Sequence, residues 1–172
     1  VLSTAADTKA LTRARRAVLG VVDGALAELG AMREREGRAT KKDLVANARG
    51  IKKLVIGIQR RMPAVVRRQQ EALRTRVELL LGGRGNVRSE DLAREIALIA
   101  DRMDVSEELG RLRSHLEQLD GIMARAGAIG RALEFLVQEF LREANTIGSK
   151  CNDAAVAHEV VELKTLIERL RE

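Results

Sequence analysis

Residues Arg111–Asp153 read RLRSHLEQLDGIMARAGAIGRALEFLVQEFLREANTIGSKCND, and their periodicity decides the fold. At 100° per residue, Leu109, Leu112, Leu116, Leu119 and Met123 form one apolar stripe. Leu133, Leu136, Val137, Phe140, Ala144 and Ile147 form a second, and Gly127 and Gly130 bracket the turn between them. Two consecutive antiparallel helices follow. Their wet faces are unusual. Glu107, Arg111, Ser114 and Gln118 lie opposite the first stripe, with Glu108 and His115 on one flank and Arg113 and Glu117 on the other. Arg131, Glu134, Gln138, Arg142, Asn145 and Ser149 oppose the second, flanked by Glu139, Glu143, Thr146 and Lys150. Ser and Asn are indifferent helix formers, so these faces favour directional polar groups over helicity.

Working outward, the same period covers the chain. Toward the C-terminus, Asn152 or Asp153 caps a last amphipathic helix that runs to Glu172. Upstream, Asp104 with Glu107 makes a capping-box pattern that opens the helix through Met123, and Ser89 caps the segment before it. From Ala5 to Met62 the pattern is helical again: Leu19, Val22, Leu26, Leu29 and Met32, then Leu44, Ala48, Ile51, Val55 and Ile58. Glycines 20, 24, 30, 50 and 57 interrupt it, marking either close helix contacts or breaks. Pro63 is expected to end or kink this element, with AVVRRQQEALRTRVELLL restarting as a helix. Gly82–Asn86, GGRGN, is the clearest loop and weakly resembles an RGG segment. The expected architecture is all-α, a bundle or hairpin of long antiparallel helices that oligomerises. A basic long-helix region over 1–85 precedes a helical C-terminal domain over 86–172.

Composition agrees. Aromatics are 1% of 172 residues, namely Phe135 and Phe140, and Pro63 is the single proline. A core of Leu, Val, Ile and Ala suits helix packing and disfavours sandwiches and barrels. One cysteine, Cys151, makes no internal disulfide, which points to a reducing, cytoplasmic setting. No 18-residue uncharged run exists, so no conventional membrane helix is expected. The net charge of +6 hides a division: residues 1–88 hold 20 Lys+Arg and 8 Asp+Glu, residues 89–172 hold 11 and 17. A +12 half suits phosphate backbones, while a −6 half can hold a metal or pair with a neighbour's basic half.

The polar faces admit two readings. Arginine forks match phosphate, carboxylates take Mg²⁺ or Mn²⁺ through oxygen, and an imidazole such as that of His115 can shuttle a proton. The blander reading makes them solvated or subunit-contact faces laced with i,i+4 pairs such as Glu107–Arg111. His158 and Cys151 lack partners for a metal or catalytic motif, and no phosphate-binding loop of the nucleotide-binding kind occurs.

AMREREG (31–37), DVSEELGRLRSHLEQL (104–119), REANTIGSKCND (142–153) and the closing VVELKTLIERLRE together resemble the signature blocks of the bacterial YicC family, in order and spacing. The resemblance runs from about residue 20 to the end. It implies a cytoplasmic, divalent-metal-dependent endoribonuclease (Mg²⁺ or Mn²⁺) that cuts single-stranded RNA, assembles as a homo-hexamer, and serves stress physiology and small-RNA turnover. It also implies a further N-terminal domain that this chain does not match, so the chain resembles the C-terminal portion of a longer protein. Gly110 and Leu119 stand where relatives more often carry a larger residue and Phe; neither change removes a polar group.

Carried onto this sequence, the family blocks coincide with the polar faces. The expected catalytic groups are His115, Glu143, Arg111, Arg113 and Arg142. Expected metal ligands are Glu107, Glu108, Glu139 and Glu143, with Glu34 or Glu36 as candidate additions and Arg33 and Arg35 beside them. RNA is expected to meet Arg60, Arg61, Arg67, Arg68, Gln138, Asn145 and Lys150, with Arg15, Arg16, Lys52 and Lys53 extending the path. Either water attacks with metal assistance, or the 2′-hydroxyl attacks with His115 as base. With almost no aromatics for base stacking, contact should be mainly with the RNA backbone. The rival reading is a non-catalytic helical module that assembles and presents RNA to another nuclease.

Overall fold

The computed structural model describes residues 4–81, 88–125 and 127–171. Five helices are present among them: α1 (Thr4–Leu81), α2 (Ser89–Arg102), α3 (Ser106–Met123), α4 (Gly130–Lys150) and α5 (Ala154–Glu168). The all-α expectation holds. The GGRGN loop, Gly82–Asn86, lies outside the described residues. The chain divides into two compact units, Val1–Asp43 and Leu44–Glu172.

Helix α1 does not stop at Pro63, contrary to the break or restart expected there. Proline removes one backbone hydrogen bond and costs about 3 kcal/mol in a helix interior. Met62 and Val65 on either side of it are buried, at 8% and 1% exposure, while Pro63 itself points to solvent. Tertiary burial of the flanks offsets the local cost. The glycines are likewise inside the helix, and one of them marks a close contact. A Cβ on Gly50 would sit 2.7 Å from Leu166 Cδ1 of α5, whereas Gly20, Gly24 and Gly30 have nothing within 4 Å.

In the first unit, the helical expectation for Leu19, Val22, Leu26, Leu29 and Met32 holds, but these side chains stay exposed. Periodicity specifies which face is apolar; burial also requires a second element to cover it.

In the second unit, the face read as Leu44, Ala48, Ile51, Val55 and Ile58 does enter a core, continuing through Met62 and Val65. Helix α3 packs on α4, and α4 on α5. Leu109, Leu112 and Leu119 are buried at 3% or less, as are Leu136, Val137, Phe140, Ala144 and Ile147. Ile122 joins them, while Leu116, Leu133 and Met123 pack at the margin. The α4–α5 link spans only residues 151–153, so the two helices form a tight antiparallel hairpin. Val160 Cγ1 comes within 3.3 Å of where a Cβ on Gly148 would sit.

Polar ties fix how α5 lies on α1. Arg68 Nη2 donates to Asp153 Oδ2 at 2.7 Å, and Arg61 Nη2 to Glu159 Oε1 at 2.9 Å. Gln69 Nε2 donates to the Asn152 carbonyl at 3.3 Å. Partner numbers fall on α1 as they rise on α5, so these helices too are antiparallel. At the α5 N-terminus, the Ala155 and Val156 amides both donate to Asp153 Oδ1 at 3.1 Å, which is the expected cap. Asp104 instead accepts from the Ser106 amide at 2.9 Å, one residue before the cap position Val105; Glu107 turns away to Arg111. Helix α2 starts on Ser89 itself, placing its cap at Arg88.

Two outcomes test this core. Leu163→Ala, at a site with 0% exposure, should cost about 2–5 kcal/mol. Val161→Ala, at 62% exposure on the same helix, should stay within about 0.5 kcal/mol; urea unfolding midpoints compare them. The Val156 amide, and then the Arg68 guanidinium, hold the Asp153 carboxyl below its ordinary range. A lowered folded value means that the stabilisation is complete above the unfolded carboxylate pKa and fades as pH falls through the folded one. Thermal unfolding of Asp153→Ala should therefore show a smaller loss of stability at acid pH than the parent chain.

Candidate functional site

The α3–α4 seam gathers Glu108, His115, Glu139, Glu143 and Lys150 from the flanks and, from the mid-faces, the guanidinium of Arg111. Glu107, Arg111, Ser114 and Gln118 on α3 are exposed, as are Arg131, Glu134, Gln138, Arg142, Asn145 and Ser149 on α4. Glu108 and Glu143, by contrast, are the two buried charged residues among those described, at 6% and 3% exposure. The α3 flank carrying Glu108 and His115 meets the α4 flank carrying Glu139, Glu143 and Lys150. Helices running in opposite directions pair Glu108 with Lys150, Arg111 with Glu143, and His115 with Glu139 and Phe140.

Each pair has its own chemistry. Lys150 Nζ donates to Glu108 Oε1 at 2.7 Å and to the Asp104 carbonyl at 2.9 Å, tying the end of α4 to the start of α3. Glu108 Oε2 is buried without a partner among the described residues. One turn further along α3, Arg111 Nη1 donates to Glu143 Oε1 at 3.3 Å while Nη2 holds Glu107. These carboxylates raise the Arg111 pKa, led by the hydrogen bond to Glu143. Arg111 is half exposed, so one guanidinium bridges a wet carboxylate and a buried one.

Beyond Arg111, His115, Glu139 and Glu143 each bring one ligating atom within 4.8 Å of the others. Both imidazole nitrogens of His115 are shielded from water and have no hydrogen-bond partner among the described residues. Phe140 meets the imidazole edge-on, with centroids 5.5 Å apart and planes at 69°, which orients the ring. A buried polar atom without a partner costs about 1–3 kcal/mol. A cation shared with two carboxylates satisfies such an imidazole, and one nitrogen with carboxylate oxygens is a donor set for Mn²⁺-like ions more than for Mg²⁺, which takes oxygen.

The other expected site residues sit as follows. Glu107 is exposed and engaged by Arg111; Glu108 is engaged by Lys150. Neither belongs to the group formed by His115, Glu139 and Glu143. Arg113 faces α1 and donates to Gln59 Oε1. Arg142 is exposed beside Glu143 on the open face of α4, as are Gln138 and Asn145. Arg61 and Arg68 are ion-paired to Glu159 and Asp153, whereas Arg60 and Arg67 are exposed and have no such partner among the described residues. Arg15, Arg16, Arg33, Glu34, Arg35 and Glu36 belong to the first unit, where Glu34 pairs with Arg38 at 3.4 Å. That His115 meets Glu139 and Glu143 depends on which α4 residues lie across from it, and the spacing within α3 holds no signal for that. Cys151 is buried beside Met62 Sδ at 3.4 Å, and burial pushes its thiol pKa up, which makes it unreactive. His158 is exposed, 3.8 Å from Glu162.

Comparison with known proteins adds a family. A family model described as "Endoribonuclease YicC-like, C-terminal" matches residues 58–172. A protein of Clostridioides difficile named "Probable endoribonuclease YicC" is 36% identical over 88% of this chain and 52% of its own length. One of the same name from Haemophilus influenzae is 37% identical over 90% of the chain and 53% of its own. The chain thus spans about half the length of the curated relatives it matches.

The Lys150 strut yields a stability test. Lys150→Ala leaves Glu108 buried and uncompensated, at a cost of about 1–3 kcal/mol. Adding Glu108→Gln should restore part of that loss, because the stranded charge is gone. Denaturant unfolding of the two single variants and the double reads the coupling.

Proposed function

The chain belongs to the endoribonuclease YicC-like family, and from that premise we propose that its α3–α4 seam is the catalytic site of a cytoplasmic endoribonuclease that cuts single-stranded RNA with a divalent cation. One observation carries this reading: His115, Glu139 and Glu143 converge within 4.8 Å, with an imidazole whose nitrogens have no partner among the described residues. Mn²⁺ is the favoured ion, and those three residues would hold it. Bound there, it supplies Lewis-acid polarisation of a phosphoryl oxygen.

The protein's own groups do the rest. Arg111 holds Glu143 from the solvent side and presents its exposed guanidinium to an incoming phosphate, with Arg142 alongside on α4. Phe140 fixes the imidazole plane. The Lys150–Glu108 strut keeps the seam in register, so the three ligating side chains approach without reorganisation. Gln138 and Asn145 offer donors and acceptors to sugar or base edges. Homo-oligomeric assembly, as a hexamer, completes the proposal for the intact protein. The competing reading, a non-catalytic helical module that presents RNA, predicts a seam with no part in cutting.

Glu143→Gln and His115→Ala should each lower cleavage of a labelled single-stranded oligonucleotide by about 100-fold or more, the scale of losing a catalytic acid–base or electrostatic group. Helicity should be retained, and Mn²⁺ titration by calorimetry should lose its heat. Products ending in 5′-phosphate support water attack; 2′,3′-cyclic ends support the 2′-hydroxyl route. Normal cutting by both folded variants would sink the assignment and favour the presenting module.

A further inference from the structure

The second half of α1 carries a cationic ladder that the seam does not use. Lys53, Arg60, Arg67 and Arg74 recur every seven residues, which returns to the same helix face with about 20° of drift per step. All four are exposed. None has a carboxylate or other hydrogen-bond partner among the described residues. Arg49 and Lys52 widen the ladder at its start, where Arg49, Lys52, Lys53, Ile56, Gly57 and Arg60 line a shallow groove. From Arg49 through Arg74 there are eight cations and one carboxylate, Glu71.

The neighbouring cations behave differently. Arg61 and Arg68, each one residue further round the helix, reach α5 and are neutralised by Glu159 and Asp153 at 2.9 and 2.7 Å. Helix α1 thus sorts its cations by face: one row ties the fold together, and the adjacent row forms no ion pair among the described residues. Exposed like charges about 10.5 Å apart repel weakly, because salt screens over about the same distance. Such a row is stabilised by a polyanion that runs along it.

We infer that the row Lys53, Arg60, Arg67 and Arg74, entered through the groove at Arg49 and Lys52, binds the phosphodiester backbone of single-stranded RNA, and that Arg61 and Arg68 take no part. The ligand's identity rests on the nuclease reading above; the site rests on the ladder itself. Steps of seven residues space the cations by about 10.5 Å along the axis, a linear array suited to an extended strand. The row carries one exposed aliphatic, Ile56 at 37%, and no aromatic side chain. That argues for backbone contact without base stacking, and against a helix face that inserts into a lipid surface.

The test is fluorescence anisotropy with labelled U15 and A15 oligonucleotides over a KCl series, using the whole chain in EDTA so that cutting does not interfere. Each phosphate contact to a single strand contributes about 0.7 to the slope of log affinity against log salt. Lys53→Gln/Arg60→Gln/Arg67→Gln should therefore reduce the slope by about 2 and weaken binding at least about tenfold, equally for both sequences. These are exposed positions, so circular dichroism should show an unchanged fold. Arg61→Gln/Arg68→Gln should lower the melting temperature and leave the slope unchanged. An unaltered slope in the triple variant, or a slope lost only in the Arg61/Arg68 variant, overturns the inference. So does tighter binding of phosphatidylglycerol vesicles than of RNA. A chain that binds through this row yet never cuts RNA supports the inference while removing the nuclease reading.

Discussion

Two carboxylates buried between α3 and α4, Glu108 and Glu143, constrain everything around them. Charges removed from water must be compensated, and each of these has a different kind of partner. Lys150 compensates Glu108 from within the hairpin and simultaneously holds the Asp104 carbonyl, so this end of the seam is a clamp. Arg111 compensates Glu143 from the solvent side through one guanidinium nitrogen and gives the other to Glu107. The first arrangement is enclosed; the second is open. That asymmetry separates an enclosed end of the seam from an open one, and the proposed cation site adjoins the open end.

The helices that carry the seam are themselves held by ordinary forces. Leu112, Leu119, Phe140 and Ile147 are fully or almost fully buried, and α5 closes over the far side of α4 with Val156, Leu163 and Ile167. Helix α1 completes the core through Ile51, Val55 and Ile58. Its arginines reach α5 only where the helix face allows, which is why adjacent residues such as Arg60 and Arg61 have different fates. A helix rotates 100° per residue, so one step moves a side chain from a partner's reach into open solvent.

Much of the fold was legible in the sequence. The apolar stripes of the α3 and α4 segments, the Asp153 cap and the turn at Gly127, whose φ of 95° needs glycine, all rest on local rules. Pro63 misled because local cost is only one side of the balance; the buried Met62 and Val65 beside it supply the other. The apolar run from Leu19 to Met32 shows the converse limit. Its period was correct, yet these residues stay exposed, because a period does not say whether another element comes to cover it.

For the candidate site, the order of residues along the chain determined the chemical types and the two flanks. The spacing of Glu108, His115, Glu139, Glu143 and Lys150 puts them all at stripe edges. What the sequence could not supply was the register between helices. Sliding α3 by one turn against α4, about 5.4 Å, would trade every partner along the seam while leaving each helix wheel unchanged. Packing of the two apolar stripes, together with the Lys150–Glu108 tie, sets that register. It assigns Lys150 to Glu108, Arg111 to Glu143, and leaves His115 with Glu139 and Glu143 within 4.8 Å of one another. Helix faces are local properties of a chain; which faces meet, and at what offset, is decided by the core they enclose.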